Sequence, residues 1–292
     1  MINKVTAIIL YGILMSVPIN TAAALRQYKA QIENSDWQLK DKSRLQCTLS
    51  HRLPGYGKAM FNSVASKQLN MEFELDMLLL PKSYGVAAVY SIPPKWMPGQ
   101  IQRTIADMPM RKQFNGDLPE QVAWIMLTEL EKGFWPTIYY QDWYNPYDRV
   151  AVGLNASNFA TPYKQFVQCV ANLLPYSFKD IAYTVLTYDF NNTNLTKYSQ
   201  KRLAMIGEYL KEDTDLELVL LDGYTDSFGG RAINKELSIR RAVEIKDFLS
   251  STGVLPERIE ITGHGERRHI SPNTNESGRA KNRRVVIRMS KP

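Results

Sequence analysis

Downstream of Pro175 the chain alternates apolar runs of strand length with longer segments of helical periodicity, and that rhythm restricts its fold more than any other feature. Residues 181–190 read as a strand, and Asn191, Asn192, Thr193 and Asn194 read as a loop with a helix cap. Leu195, Leu203, Ile206 and Leu210 then recur at helical spacing. Residues 216–221 form a strongly apolar strand, and a second helix is predicted over 231–251, with Gly253 just past its end. Residues 258–262 and 285–289 supply two further strands, with a short helix over 276–282 between them. Strands joined by long helical crossovers can pair in parallel, which a tight hairpin forbids. The expectation is an α/β sandwich with some parallel pairing.

Upstream the period is different. Residues 45–160 read mainly as strands: Leu69, Met71, Phe73 and Leu75 alternate with Asn70, Glu72 and Glu74. Residues 86–90, 137–140 and 150–154 are short runs rich in β-branched and aromatic side chains. Pro54-Gly55, Pro93-Pro94, Pro98-Gly99, Asn115-Gly116 and Asn145-Pro146 punctuate them. One helix is predicted over 118–132, closed by Gly133, and another over 162–174. This half is expected to be a compact β-rich barrel or sandwich. Tyr139, Tyr140, Trp143, Tyr144 and Tyr147 form a dense aromatic patch, read either as a binding surface or as core and loop anchors.

With 292 residues the chain has room for two domains. Its N-terminus reads as a signal peptide over 1–23: Lys4 precedes an apolar stretch over 5–17, Pro18 and Asn20 break it, and Ala22 to Ala24 offer a cleavage site. That stretch is shorter than the ~20 apolar residues a spanning helix needs. No cysteine stands at the cleavage site after it, so a lipoprotein route is not expected, and the mature chain is predicted to be periplasmic. An oxidising destination favours joining Cys47 to Cys169, the only two cysteines; the alternative is two separate buried thiols. These cysteines and His51, His264 and His269 show no metal-ligand spacing, and neither a metal nor a cofactor is expected. The net charge of +7 suits acidic partners generally. Arg279, Lys281, Arg283, Arg284, Arg288 and Lys291 form a basic C-terminal cluster, and alternation along 284–288 would set several of these charges on a solvated face. Periplasmic export argues against nucleic acid as its partner.

The chemistry concentrates after the apolar strand. Gly223-Tyr224-Thr225-Asp226-Ser227-Phe228-Gly229 leads into Asn234, Ser238 and Arg241, whose spacing puts them on one helix face. Arg240, turned by about 100°, points elsewhere. A carboxylate and a guanidinium flanking one small cavity suit a zwitterionic ligand. The carboxylate accepts from an ammonium group, and the guanidinium grips a carboxylate through two parallel hydrogen bonds. Diaminopimelate of cell-wall stem peptides presents both groups on one carbon. From spacing alone, Asp226 and Arg241 bridging each other or capping the helix is an equal alternative.

These motifs, with Gly263-His264-Gly265-Glu266 and Gly278-Arg279-Ala280-Lys281-Asn282-Arg283-Arg284-Val285, resemble the OmpA-like peptidoglycan-binding family. The resemblance implies that Asp226 and Arg241 hold diaminopimelate and that Thr225, Asn234 and Arg284 line the pocket, with no catalytic residue. Two departures stand out: the usual proline after the Gly-x-Gly-Glu turn is replaced around His269, and Asn275 stands where threonine is common. Asparagine still caps a helix, so altered loop shape rather than lost binding is expected.

Leu69-Asn70-x-x-Phe73-Glu74-Leu75, Glu129-Leu130-Glu131-Lys132-Gly133, Tyr140-Gln141-Asp142-Trp143, Cys169, Asn172-Leu173-Leu174 and Tyr176-Ser177-Phe178 resemble the MotY family of flagellar-motor proteins. That resemblance implies a basal-body and partner-binding domain over 24–176 and an OmpA-like domain over 177–292. It also implies MotX and the basal body as partners, a T ring positioning the sodium-driven PomA/PomB stator, and anchoring rather than catalysis. The alternative is a peptidoglycan-targeted wall-modifying enzyme. It lacks nucleophile–base and metal motifs, although Asp76, Glu129 and Glu131 are carboxylates able in principle to act on glycans.

Overall fold

Alternating burial along the upstream strands sorts them into two layers. A computed structural model of the protein describes residues 24–189, 194–213 and 217–291; the expected signal peptide, Asn191, Asn192, Thr193 and Leu216 lie outside them. In chain order the first part contains β1 (Leu25–Lys29), β2 (Trp37–Lys42), β3 (Gln46–Leu53), β4 (Gly57–Val64), β5 (Glu72–Met77), β6 (Gly85–Ile92), β7 (Arg103–Met110) and β8 (Gly116–Leu118). Helix α1 (Glu120–Glu131), β9 (Trp135–Gln141), β10 (Arg149–Gly153) and α2 (Ala160–Ala171) complete it. One sheet has the order β1-β10-β9-β6-β7 and the other β2-β3-β4-β5-β8, each five-stranded. Apart from the parallel β1–β10 pair, all neighbours are antiparallel.

Both sheets face one core. In the second sheet the register sets Leu39, Leu49, Phe61, Phe73 and Leu118 in one row across its strands. Val89, Ile138 and Val152 of the first sheet enter the same cluster, with Met126, Leu127 and Leu130 of α1 and Phe166 of α2. No ladder joins the two sheets among the described residues, so of the two expected forms the sandwich is the one adopted. Gly133, at φ +86°, ends α1 as predicted. One strand begins later than its alternation suggests. The Asn70 side chain accepts from Val64 N (2.9 Å) and donates to Val64 O (2.8 Å), taking the place of a ladder residue. The ladder therefore starts beyond it, and Leu69 is exposed rather than buried. Cys47 on β3 and Cys169 on α2 form the expected disulfide, with Cα atoms 6.0 Å apart.

The second part comprises α3 (Phe178–Ile181), β11 (Tyr183–Thr187), α4 (Lys197–Glu212), β12 (Leu218–Tyr224), α5 (Arg231–Ser251), β13 (Ile259–Gly263), α6 (Glu276–Asn282) and β14 (Arg284–Ser290). Its sheet runs β11-β14-β12-β13, with β12 and β13 parallel, as a crossover through α5 requires. Leu203 and Ile206 of α4 and Ala242, Ile245 and Leu249 of α5 pack with Leu186, Val219, Leu221 and Ile287 of the strands. The cap of α4 is Thr196, whose hydroxyl accepts from Ser199 N, and not Asn194. This core also draws in Ala65, Leu174 and Tyr176.

Candidate ligand-binding site

The site is built where α5 lies directly on the ends of β12 and β13. A side chain on Gly223 would collide with the Ser238 backbone, and one on Gly263 with Ser238 Oγ and Ile239, so both strands can pass close under the helix only as glycine. Ser238 Oγ accepts from Gly265 N (3.0 Å) and fastens the loop after β13 to the helix. Asn234, Ser238 and Arg241 share the inward face, as their spacing predicted, while Arg240 is exposed.

Arg241 is 1% exposed. Its Nη1 donates to the Tyr224 carbonyl (3.3 Å), and its guanidinium sits 4.4 Å from the Tyr188 ring centroid. Burial lowers its pKa from the ordinary value, with neighbouring Arg283 adding to the fall and Asp226 opposing it; an arginine stays charged regardless. Asp226, also buried, accepts from Phe228 N through Oδ1 (3.1 Å) and from Arg283 Nη1 through Oδ2 (2.9 Å). Arg283 Nη2 reaches Glu276 (2.6 Å). Burial works against the Arg283 charge, but Glu276 and Asp226 more than offset it and its pKa rises. Asp226, Arg241 and Arg283 thus form one buried charge cluster at the end of β12.

The other expected residues surround this cluster. Thr225 N donates to Gly265 O (2.9 Å), and its buried hydroxyl finds no hydrogen-bond partner among the described residues. Asn234 Nδ2 donates to Glu266 (3.1 Å), whose other oxygen meets Arg231 (3.2 Å). The Arg284 guanidinium lies 3.8 Å from the Tyr224 ring centroid, Tyr224 stacks with His264 at 4.7 Å, and Arg284 Nη2 donates to Arg268 O (3.0 Å). Arg283 is buried, and so is Arg284, which corrects the expectation of a solvated face along 284–288 at that position; Arg288, half exposed, keeps to it and pairs with Asp222. Asn275 caps α6 by accepting from Gly278 N (2.8 Å), so the departure from threonine leaves the cap intact.

Beside the cluster opens a cleft of about 740 Å³, bordered by Ser227, Arg231, Lys235, Glu266, Arg268 and Asn273 among others. Arg267 joins Arg231, Lys235 and Arg268 along its border, where the carboxylate is that of Glu266, paired with Arg231. Sequence reasoning did not find Arg283 or Glu266 as members of the site. Their signal is three-dimensional: Arg283 meets an aspartate 57 residues upstream. Of the carboxylates considered for wall chemistry, Glu129 is buried and held by Ser91 Oγ (2.5 Å), Arg103 and Lys132. Asp76 lies against Lys58 and Asn115, and Glu131 is exposed.

Residues 28–175 match the model of the MotY N-terminal domain, and residues 187–283 match that of the OmpA family. The Sodium-type flagellar protein MotY of Vibrio parahaemolyticus is 40% identical over 282 residues, covering 96% of both chains. The chain belongs to the MotY family. Over shorter spans it is similar to Outer membrane protein A of Bordetella avium (38% identity, 34% of this chain and 51% of that one). It is also similar to the Peptidoglycan-binding protein ArfA of Mycobacterium bovis (40% identity, 29% of this chain and 26% of that one). The MotY-family assignment covers both halves, and the Asp226–Arg241–Arg283 cluster falls inside the segment matched as OmpA.

Proposed function

We propose that this chain is a non-enzymatic periplasmic component of the sodium-driven flagellar motor that holds the motor ring and stator to peptidoglycan. The observation that carries this reading is the buried Asp226–Arg241–Arg283 cluster, lying at a strand end in the OmpA-matched segment beside an open basic cleft. After removal of residues 1–23, residues 177–292 bind diaminopimelate of the stem peptide. Asp226 receives its ammonium group, displacing Arg283 Nη1 from the carboxylate, and Arg241 receives its carboxylate. Thr225, with its unmatched hydroxyl, Asn234 and Arg284 line the approach. Residues 24–176 bind the basal body and MotX, and through them the assembly positions PomA/PomB. One pocket of this kind binds weakly; many copies in a ring multiply the hold through effective concentration.

The test is calorimetric titration of the mature chain with the free stem tripeptide containing diaminopimelate, beside the same peptide carrying lysine. Lysine keeps an ammonium group and lacks the second carboxylate. Losing one charge-assisted contact is worth about 1.5–3 kcal/mol, so the lysine peptide is expected to bind roughly 10- to 100-fold more weakly. Equal affinity for the two peptides would remove Arg241 from the ligand site.

A further inference from the structure

The outer face of the first sheet carries a trough that the wall-binding site does not use. On β9, Trp135, Thr137 and Tyr139 alternate with the core residue Ile138 and so project outward. The register runs Gln27–Ala151–Tyr139 in one row and Lys29–Gly153–Thr137 in the next. Strand β10 therefore presents only a methyl group and a hydrogen between the long side chains of β1 and the rings of β9. The result is a cavity of about 500 Å³ running along β10, closed at one end by the Pro93–Pro94–Lys95–Trp96 loop. That size and its mixture of apolar floor and few polar groups are those of a ligand site.

The walls differ in kind. One is aromatic: Trp96 meets Trp135 edge-on at 5.7 Å, and Tyr139 meets Tyr90 at 5.8 Å. Trp96 is 55% exposed although it is the largest apolar side chain type available. The opposite wall supplies Gln27, Gln31 and Glu33, a set of donors and acceptors, and Lys29 reaches across to set its Nζ 5.5 Å from the Trp135 ring centroid. Trp135, which lines the trough, also has a buried Nε1 with no hydrogen-bond partner among the described residues. An unmatched buried N–H is costly, and a ligand oxygen that reached it would remove that cost. A pyranose ring has an apolar C–H face and a hydroxyl-rich edge, and an acetamido group adds a strong carbonyl acceptor. A trough with one ring-lined wall and one amide- and charge-lined wall matches that division. The pleated floor offers no unpaired backbone groups on β9 or β10, both of which are paired on either side, so main-chain addition of a peptide strand is not available there.

We propose that this trough binds β-1,4-linked N-acetylhexosamine, the glycan strand of the polymer whose stem peptides the second domain holds. The choice of that glycan rests on the proposed function above; the saccharide chemistry rests on the trough alone. The chain would then grip one polymer at two chemically distinct points.

The experiment uses the mature full-length chain and chitotetraose, an N-acetylglucosamine oligomer without stem peptide, with tryptophan fluorescence as the readout. Wild type and Asp226→Ala are expected to give the same saturable change. Trp96→Ala, which removes an exposed ring, and Ala151→Leu, which fills the trough from its floor, are expected to bind at least 10-fold more weakly. Failure of wild type to bind stem peptide with retained chitotetraose binding would sink the pocket assignment and leave the trough standing. The inference is overturned if wild type shows no saturable change, if Trp96→Ala binds as wild type does, or if Asp226→Ala abolishes binding. It is equally overturned if oligoproline occupies the trough and chitotetraose does not.

Discussion

His51 shows how much one side chain's surroundings dictate. Its Nδ1 lies 3.1 Å from the Asp36 carbonyl and must carry the proton to donate there, while Nε2 is buried with no partner among the described residues and the ring stacks on Trp37 at 4.3 Å. Burial lowers its pKa from 6.5 to about 4, against the raising effect of Asp36. Between those two values the unfolded chain binds a proton that the folded chain refuses, so stability falls as pH drops through that window. The loss is roughly 3 kcal/mol. Urea denaturation at pH 7 and pH 4 should register it in wild type and not in His51→Gln, which has no titrating ring. The same scale governs the binding cluster. Removing one member of a buried ion pair costs about 3–5 kcal/mol, and Arg283 keeps Glu276 when Asp226 is lost. Asp226→Ala should therefore fall at the low end of that range, measured by the same denaturation. The shared face of Asn234 and Arg241 on α5, and the place of Asp226 just after β12, were legible because their spacing is local. Arg283 was not, because it lies between α6 and β14, where neither periodicity speaks, and the carboxylate that holds it inside is 57 residues upstream.

At the scale of elements, the predicted long helices and the parallel crossover were legible because apolar spacing and end signals agreed: α5 and α6 occupy the expected residues. Strand starts were less so. Leu69 has the right chemistry for β5 and the wrong position, because an asparagine side chain takes the ladder's hydrogen bonds before the strand begins. The choice between barrel and sandwich was open for a related reason: alternation shows which face of a strand is buried and says nothing about whether two sheet edges meet. The disulfide fixes α2 to β3 across a separation of 122 residues. In the chain-entropy model a loop of that length is worth about 4–5 kcal/mol. The Cys47→Ser, Cys169→Ser double variant should lose most of that in urea denaturation, and wild type in reductant should match it. No difference between reduced and oxidised wild type would contradict the bridge's structural role.

Over the whole molecule, the two halves are joined by more than chain. Leu174 precedes the second domain in sequence, yet packs in its core, and Tyr176 OH donates to Glu208 on α4 (2.7 Å). Arg44 pairs with the same glutamate (2.6 Å), and Lys67 with Asp180 on α3. Leu174→Ala removes a buried side chain at a cost of about 2–5 kcal/mol. Faster amide hydrogen exchange in α4 and β11 is the expected result; exchange confined to the first domain would contradict the shared core. A joined pair of domains can pass load from one to the other, which a motor anchor requires. The proposed hold of the second domain on the wall passes through Asp226 and Arg241. Its most direct test is co-sedimentation of the mature chain with peptidoglycan sacculi, in saturating chitotetraose so that the trough contributes nothing, beside Asp226→Ala and Arg241→Ala variants verified as folded by circular dichroism. Wild type is expected in the pellet and both variants in the supernatant; variants that pellet as wild type does would contradict the account.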